Sequence, residues 1–390
     1  MRNIQNNIIN LYLIKVSKWF MLTQPILMLY FKDTGLSTEQ AFKLKAIYSV
    51  AIVLLELPSG YFADVLGKRL TLIIGAICGT LGFLFYSLGN GFWFFLAAEL
   101  TLGIGQSFIS GADSALMYDT LLATGREKKF TLFDGRTTAI GNFAEAGSAI
   151  LGGIIADISI RYPFFIQTGI AFIAVPAAFL LVEPKFEHQS DIKRGFMDII
   201  RILKSSISHP RLRNSILFSS FTGLGTLTMA WIVQLYLDEG LHFSYGLIGT
   251  STAVLNLIVA LFAALAYYLS RKVDNKSLQL WILFFIPVGF LLTGILNNYV
   301  AIAVLVLFYM VRGVATPVLK NYINVHASSG DRATIFSIRS LVIRILFVLI
   351  GPLCGWLIDG YGYPTMFITI GTMLLALNLV FVFPGLIRQR

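Results

Sequence analysis

The 390-residue chain is 56% apolar and only 13% charged, with a formal net charge of +10. A soluble domain carries about 25% charged residues, so this composition excludes an ordinary water-soluble protein and indicates a chain that crosses a membrane repeatedly. Cys78 and Cys354 both lie inside apolar runs and the histidines show no ligand spacing, so no disulfide framework, metal or cofactor is expected.

Taken in order, segments able to cross the hydrocarbon, each about 20 residues of helix, are predicted at 9–31, 41–62, 70–88, 92–121, 133–157, 163–182, 212–237, 244–270, 278–296, 300–323, 333–357 and 364–386. The first is interrupted by Lys15 and Lys18 and lacks a small-residue cleavage site, so it reads as a span and not as a removable leader. Breaks such as "GNG" (89–91) and "NNY" (297–299) are short enough to force antiparallel neighbours. One long break, 182–214, divides the spans six and six, and within it "GFMDIIRILKSS" has amphipathic spacing suited to the membrane surface. The expected fold is all-α and integral to the membrane: a six-helix bundle over 1–182, a cytoplasmic linker over 183–211, and a second six-helix bundle over 212–390.

Basic residues fix the orientation. The cytoplasmic side of the spans, ends included, carries Lys68, Arg69, Arg126, Lys128, Lys129, Arg211, Arg213, Arg271 and Lys272, whereas the opposite side holds only Lys32, Lys43, Lys45 and Arg161. Both chain ends are therefore expected in the cytoplasm, with the chain in a bacterial plasma membrane. The net positive charge is accounted for by orientation, and no nucleic-acid partner is implied.

The halves repeat one another. "TLFDGR" (131–136) matches "TIFSIR" (334–339), and "GGIIADISIRYPFF" (152–165) resembles "CGWLIDGYGYPTMF" (354–367). Parallel repeats about a long central loop predict two bundles with a substrate path between them.

Between the second and third spans stands "GYFADVLGKRL" (60–70). It resembles the signature Gly-x-x-x-Asp-Arg-x-Gly-Arg-Arg of the major facilitator superfamily, with Gly60, Asp64, Gly67, Lys68 and Arg69 in register and Val65 at the first Arg position. With the span pattern, the resemblance covers essentially the whole chain. It implies a cytoplasmic gate latch. Asp64 would face the N-terminus of the eleventh span, which carries Arg339, since a helix N-terminus favours a carboxylate. Lys68 and Arg69 would reach Asp119 at the end of the fourth span. The second half has Ser270 where an Asp would stand, so an asymmetric latch is expected. Topology alone would account for Lys68 and Arg69, but not for Asp64 and the glycines.

Two departures bear on coupling. Glu99 in "ELTLGIG" (99–105) takes the place of the family's Arg, and "SAILGG" (148–153) keeps only the glycines of the antiporter signature, while "GPLCGW" (351–356) has the Gly-Pro.

Ionisable residues inside a membrane are costly and are functional candidates by default. The acids are Glu56, Glu99, Asp113 and Glu145; the bases are Lys15, Lys18, Arg312 and Arg344. Glu99 and Asp113, on one face of a continuous fourth span, would line a path at two depths. Glu99 and Glu145 could handle protons or substrate, or form structural pairs between helices. Lys15 and Lys18 could meet an anionic substrate or extend to the interface. Glu56 is expected near the latch. Trp19, Gln24, Tyr48, Trp231 and Gln234 could line a pocket for an amphipathic ligand, or simply pack.

The function expected is secondary active transport by alternating access in a monomer. Proton-coupled efflux of a small drug-like molecule or metabolite is the first reading, and import of a small anionic or zwitterionic nutrient is the alternative. No phosphate-binding loop and no catalytic cluster are present, so no ATP-driven pump and no enzyme is expected; a non-transporting receptor on the same scaffold is disfavoured by the latch.

Overall fold

The computed structural model describes residues 4–184, 201, 204–206, 208–296, 298–327 and 332–387; the side chains of Leu57, Tyr61, Asp64, Thr131, Thr138, Asn275 and Ala333, and position 60, also lie outside the description. Most of the proposed surface helix at 195–206, and the Asp64 carboxylate expected to anchor the latch, therefore fall outside it. The described residues are helical with no strand. Nine helical segments among them are long and apolar enough to span a membrane.

The nine differ from the twelve spans expected in three places. The first expected span is broken into α1 (Asn7–Trp19) and α2 (Leu27–Asp33), each too short to cross alone. The second corresponds to α3 (Thr38–Val65), which carries Glu39, Lys43, Lys45 and Glu56 along its length. The last two run together through α13 (Arg332–Leu377) and on to Ile387, but the chain turns at Gly362, whose φ of +78° is not helical.

The remaining elements are α4 (Lys68–Leu88), α5 (Phe92–Ile109), α6 (Ala112–Ala123), α7 (Phe130–Ile158), α8 (Tyr162–Leu180), α9 (Pro210–Leu235), α10 (Tyr245–Lys272), α11 (Asn275–Leu296), α12 (Val300–His326) and α14 (Phe383–Ile387). They sort into two compact units: Met1–Glu187 with Phe243–Ala253, and His188–His242 with Val254–Arg390.

Local chemistry sets the helix ends in the first unit. Ser37 and Gln40 form a reciprocal cap at the start of α3: the Gln40 N–H donates to Ser37 Oγ at 3.1 Å and the Ser37 N–H to Gln40 Oε1 at 3.0 Å. Lipid gives helices no hydrophobic drive toward one another, so they associate through close packing and satisfied polar groups. Gly75 of α4 and Gly105 of α5 illustrate this: a Cβ on Gly105 would lie 3.0 Å from the Gly75 carbonyl oxygen. Around that crossing pack Leu11, Ile14, Leu72, Ile73, Ile109 and Leu116. In the second unit the corresponding core joins Phe218 and Phe221 of α9 to Leu283 of α11 and Leu319 of α12.

Candidate functional site

Two helix breaks define the site in the first unit. Chain direction changes after Trp19, and helix resumes through a short turn at Gln24–Ile26. Pro25 lacks an N–H and disfavours helix at the residue before it, so the interruption is written locally. Its placement is tertiary. The buried Gln167 of α8 accepts the Leu22 N–H at 2.8 Å, and Gly152 of α7 lies where any Cβ would overlap the Leu22 carbonyl oxygen.

The second break separates α5 from α6. Ser110 is extended and Gly111 has φ +86°, a conformation favouring glycine. Asp113 sits in the first turn of α6, where its Oδ1 accepts the Ser114 N–H at 2.8 Å and the helix dipole favours a carboxylate. Its Oδ2 accepts from Lys15 Nζ of α1 at 3.3 Å, with both side chains less than one-fifth exposed. Lys15 Nζ also lies 5.5 Å from the Trp19 ring centroid, and the Trp19 ring rests against Gly141. Gln24, in the first break, has a buried Oε1 that accepts no hydrogen bond. Paired opposite charges and an aromatic face thus meet beside the two breaks, and the first break also holds an unmatched acceptor. Discontinuous helices are a common place for ligand sites in membrane proteins.

The break removes the expected geometry of Glu99 and Asp113: they lie on different helices, so the shared face of one continuous span does not exist. Glu99 is fully buried and binds Lys45 Nζ through both oxygens, at 2.8 and 3.1 Å. Lys45, counted on the side opposite the cytoplasm, is 5% exposed, and its ammonium is 4.6 Å from the Tyr48 ring centroid. A charge pair so enclosed holds α3 to α5, and losing either member would strand the other. Glu145 on α7 is half-buried.

At the other end of the unit, Lys68 and Asp119 form an ion pair. Arg69 goes elsewhere, donating from Nη2 to the Phe179 carbonyl at 3.0 Å. A residue that the sequence reading missed sits between them. Glu183 caps α4, its two oxygens accepting the Lys68 and Arg69 N–H groups at 2.8 and 2.7 Å. Gly67, at φ +91°, clears space for it, since a Cβ there would lie 3.0 Å from Glu183 Oε2. Asn7, also missed and fully buried, holds the adjoining Val182 through both its N–H and its carbonyl, at 2.9 and 2.8 Å, and donates to Thr120. The signal was present in "LVEP": an acid just before a proline at the end of a span. At the opposite end of α7, Asp157 accepts the Gly246 N–H at 3.0 Å.

In the second unit Arg339 donates to Ser219 Oγ. Arg312 lies 5.3 Å over the Tyr309 ring, and Arg344 is half-buried. Gln234, 1% exposed, donates to the Ala230 carbonyl at 3.4 Å, and Trp231, three residues before it, is half-buried. Among the described residues no cluster of His, Cys, Asp and Glu could hold a metal ion.

The quinolone resistance protein NorA of Staphylococcus aureus is 23% identical over 366 residues, covering 92% of this chain and 91% of that protein. The multidrug resistance protein MdtG of Escherichia fergusonii is 23% identical over 394 residues, covering 95% and 91%. The fold matches the crystal structure of the nucleoside transporter NupG with a TM-score of 0.79 at 14% identity, each chain covered completely. Residues 17–311 match the family described as Major Facilitator Superfamily. The chain belongs to the Major Facilitator Superfamily of membrane transporters.

Proposed function

We propose that the protein is a proton-coupled exporter of small drug-like molecules or metabolites, working by alternating access. The observation that carries this reading is the Lys15–Asp113 pair at the two helix breaks. Protonating Asp113 removes its negative charge and frees Lys15, so proton binding and the arrangement of α1 against α6 become one equilibrium. A ligand that prefers one arrangement then shifts the proton, and the proton shifts the ligand's site. Trp19 and Gln24, one on each side of the first break, offer an aromatic face and an unmatched acceptor suited to amphipathic molecules. The resistance proteins among the relatives support efflux.

Twelve spans in two six-helix bundles, a linker over 183–211, both termini in the cytoplasm of a bacterial cell, and function as a monomer complete the reading. Lys68, Asp119, Asp64, Arg339 and the glycines of "GYFADVLGKRL" form its cytoplasmic latch, to which Glu183 is added by its contacts. No covalent chemistry is involved. Import of a small anion is the second reading, favoured by Arg344, which has no hydrogen-bonding or charged partner among the described residues.

The test uses purified protein in sealed vesicles loaded at one pH and diluted into another, with a fluorescent quinolone and a small carboxylate as probes. Efflux coupling requires quinolone movement against the proton gradient that stops when the gradient is collapsed. Carboxylate movement along with the protons, and none of the quinolone, would replace efflux by import.

A further inference from the structure

The second unit contains a cavity lined by none of the residues assigned to transport above. It has a volume of about 920 Å³ and lies among the start of α9, the first third of α13 and the stretch from Leu377 to Gly385. Its wall is apolar, with Leu217 and Phe221 on α9, Val342 and Leu346 on α13, and Val380 and Phe381 on the π-turn at Asn378–Val382. At its mouth stand Arg211 and Arg213.

Three observations select the occupant. First, both arginines are exposed, and among the described residues neither guanidinium has an ion pair or a hydrogen-bonded acceptor. No acidic residue lines the cavity, so its mouth is uniformly cationic. Second, the one polar group of the wall is already satisfied. The buried Asn214 amide, in the orientation that matches both its polar ends, donates to the Phe381 and Val382 carbonyls at 3.2 Å. Nothing inside the cavity asks for a polar ligand. Third, its length fits one lipid leaflet. Arg211 to Phe221 is ten residues, about 15 Å of helix, and half of a hydrocarbon core about 30 Å thick is the same distance. Val380 and Phe381, 64% and 53% exposed, continue the apolar wall out to the surface of the unit.

We infer that this cavity binds an anionic phospholipid, with the headgroup phosphate on Arg211 and Arg213 and an acyl chain along Leu217, Phe221 and Leu346. Basic pockets between membrane helices favour such headgroups, and guanidinium forks match phosphate oxygens in geometry as well as charge. A lipid seated there wedges α9 against α13, and so ties the second unit to the charge of the surrounding leaflet.

The test is native mass spectrometry and thermal unfolding of the full chain in neutral detergent, titrated with phosphatidylglycerol, phosphatidylcholine or inorganic phosphate. One phosphatidylglycerol should be retained and should raise the unfolding temperature, while phosphatidylcholine and inorganic phosphate do neither. Arg211→Gln combined with Arg213→Gln should weaken retention by about tenfold or more. Leu217→Trp, which fills the apolar part and leaves both arginines, should abolish it. Equal retention of phosphatidylcholine, full displacement by inorganic phosphate, or unchanged retention in either variant would overturn the inference. So would a dimer peak lost in Leu217→Trp, which assigns the groove to a second copy. The readout involves neither transported substrate nor membrane sidedness, so it stands or fails separately from the efflux reading.

Discussion

Lys15 of α1 and Asp113 of α6 are paired at 3.3 Å although 98 residues separate them in the chain. Each stands within a few residues of a helix break, and this makes the pair different from the other ion pairs of the unit. Lys45–Glu99 joins unbroken helices in a fully enclosed setting, and Lys68–Asp119 sits beside the capped end of α4. The predictions follow from that difference.

Asp113→Asn should leave the protein inserted and folded but abolish proton release on substrate addition, with drug efflux falling by about tenfold or more, equivalent to at least about 1.4 kcal/mol in the rate-limiting step. Proton release measured with a pH indicator in weakly buffered detergent decides it. Persistence of the signal in Asp113→Asn removes this carboxylate as the carrier.

The Lys45–Glu99 pair should behave as a structural element. Glu99→Gln or Lys45→Met alone should cost stability on the order of 3–5 kcal/mol, because each leaves a buried charge unmatched, whereas Lys45→Met with Glu99→Leu should recover most of it. Thermal unfolding of the three variants measures this, and proton-coupled transport in the double variant separates packing from coupling. A stable Glu99→Gln that has lost coupling would make Glu99 a proton site instead.

Glu183→Gln should weaken the cap on α4 by about 1–2 kcal/mol, since charge-assisted hydrogen bonds to two N–H groups become neutral ones. The expected readout is faster labelling of a cysteine placed at Leu70 and slower transport at equal expression. Labelling and transport both at wild-type rates would show that the Glu183 contacts are dispensable.

Gly152→Val should be more damaging than its size suggests. The added side chain overlaps the Leu22 carbonyl oxygen, so α7 and the first break must separate. Transport should be lost while membrane insertion is retained, and Gly169→Val, at a position with open space around it, should be tolerated. Equal activity of both variants would mean that the break is not held by this contact.

Asp64→Asn should slow transport sharply without reducing the amount of inserted protein, because the latch reading rests on a carboxylate facing a helix N-terminus. Unchanged transport at equal expression would remove Asp64 from the gate.

The membrane class, the family and the stretch at 60–70 were legible from sequence because they depend on composition and local spacing. Apolar length answers directly to bilayer thickness, and "GYFADVLGKRL" is contiguous. Lys68 could be matched to Asp119 because both stand at span ends, where a short reach is enough. Local signals also marked the breaks: Pro25 and Gly111 were visible, but either residue is tolerated inside a membrane helix when neighbours satisfy the freed backbone groups. At the first break the fold decided that helix stops, through Gln167 and Gly152 on distant helices. The same holds for partners. Sequence named Glu99, Asp113 and Lys15 as embedded charges, and tertiary structure paired Asp113 with Lys15, gave Glu99 the partner Lys45, and brought the unmarked Glu183 to the end of α4. Hydropathy is additive along a chain and can be read from it, whereas charge pairing depends on distances of a few ångströms between residues that folding alone brings together.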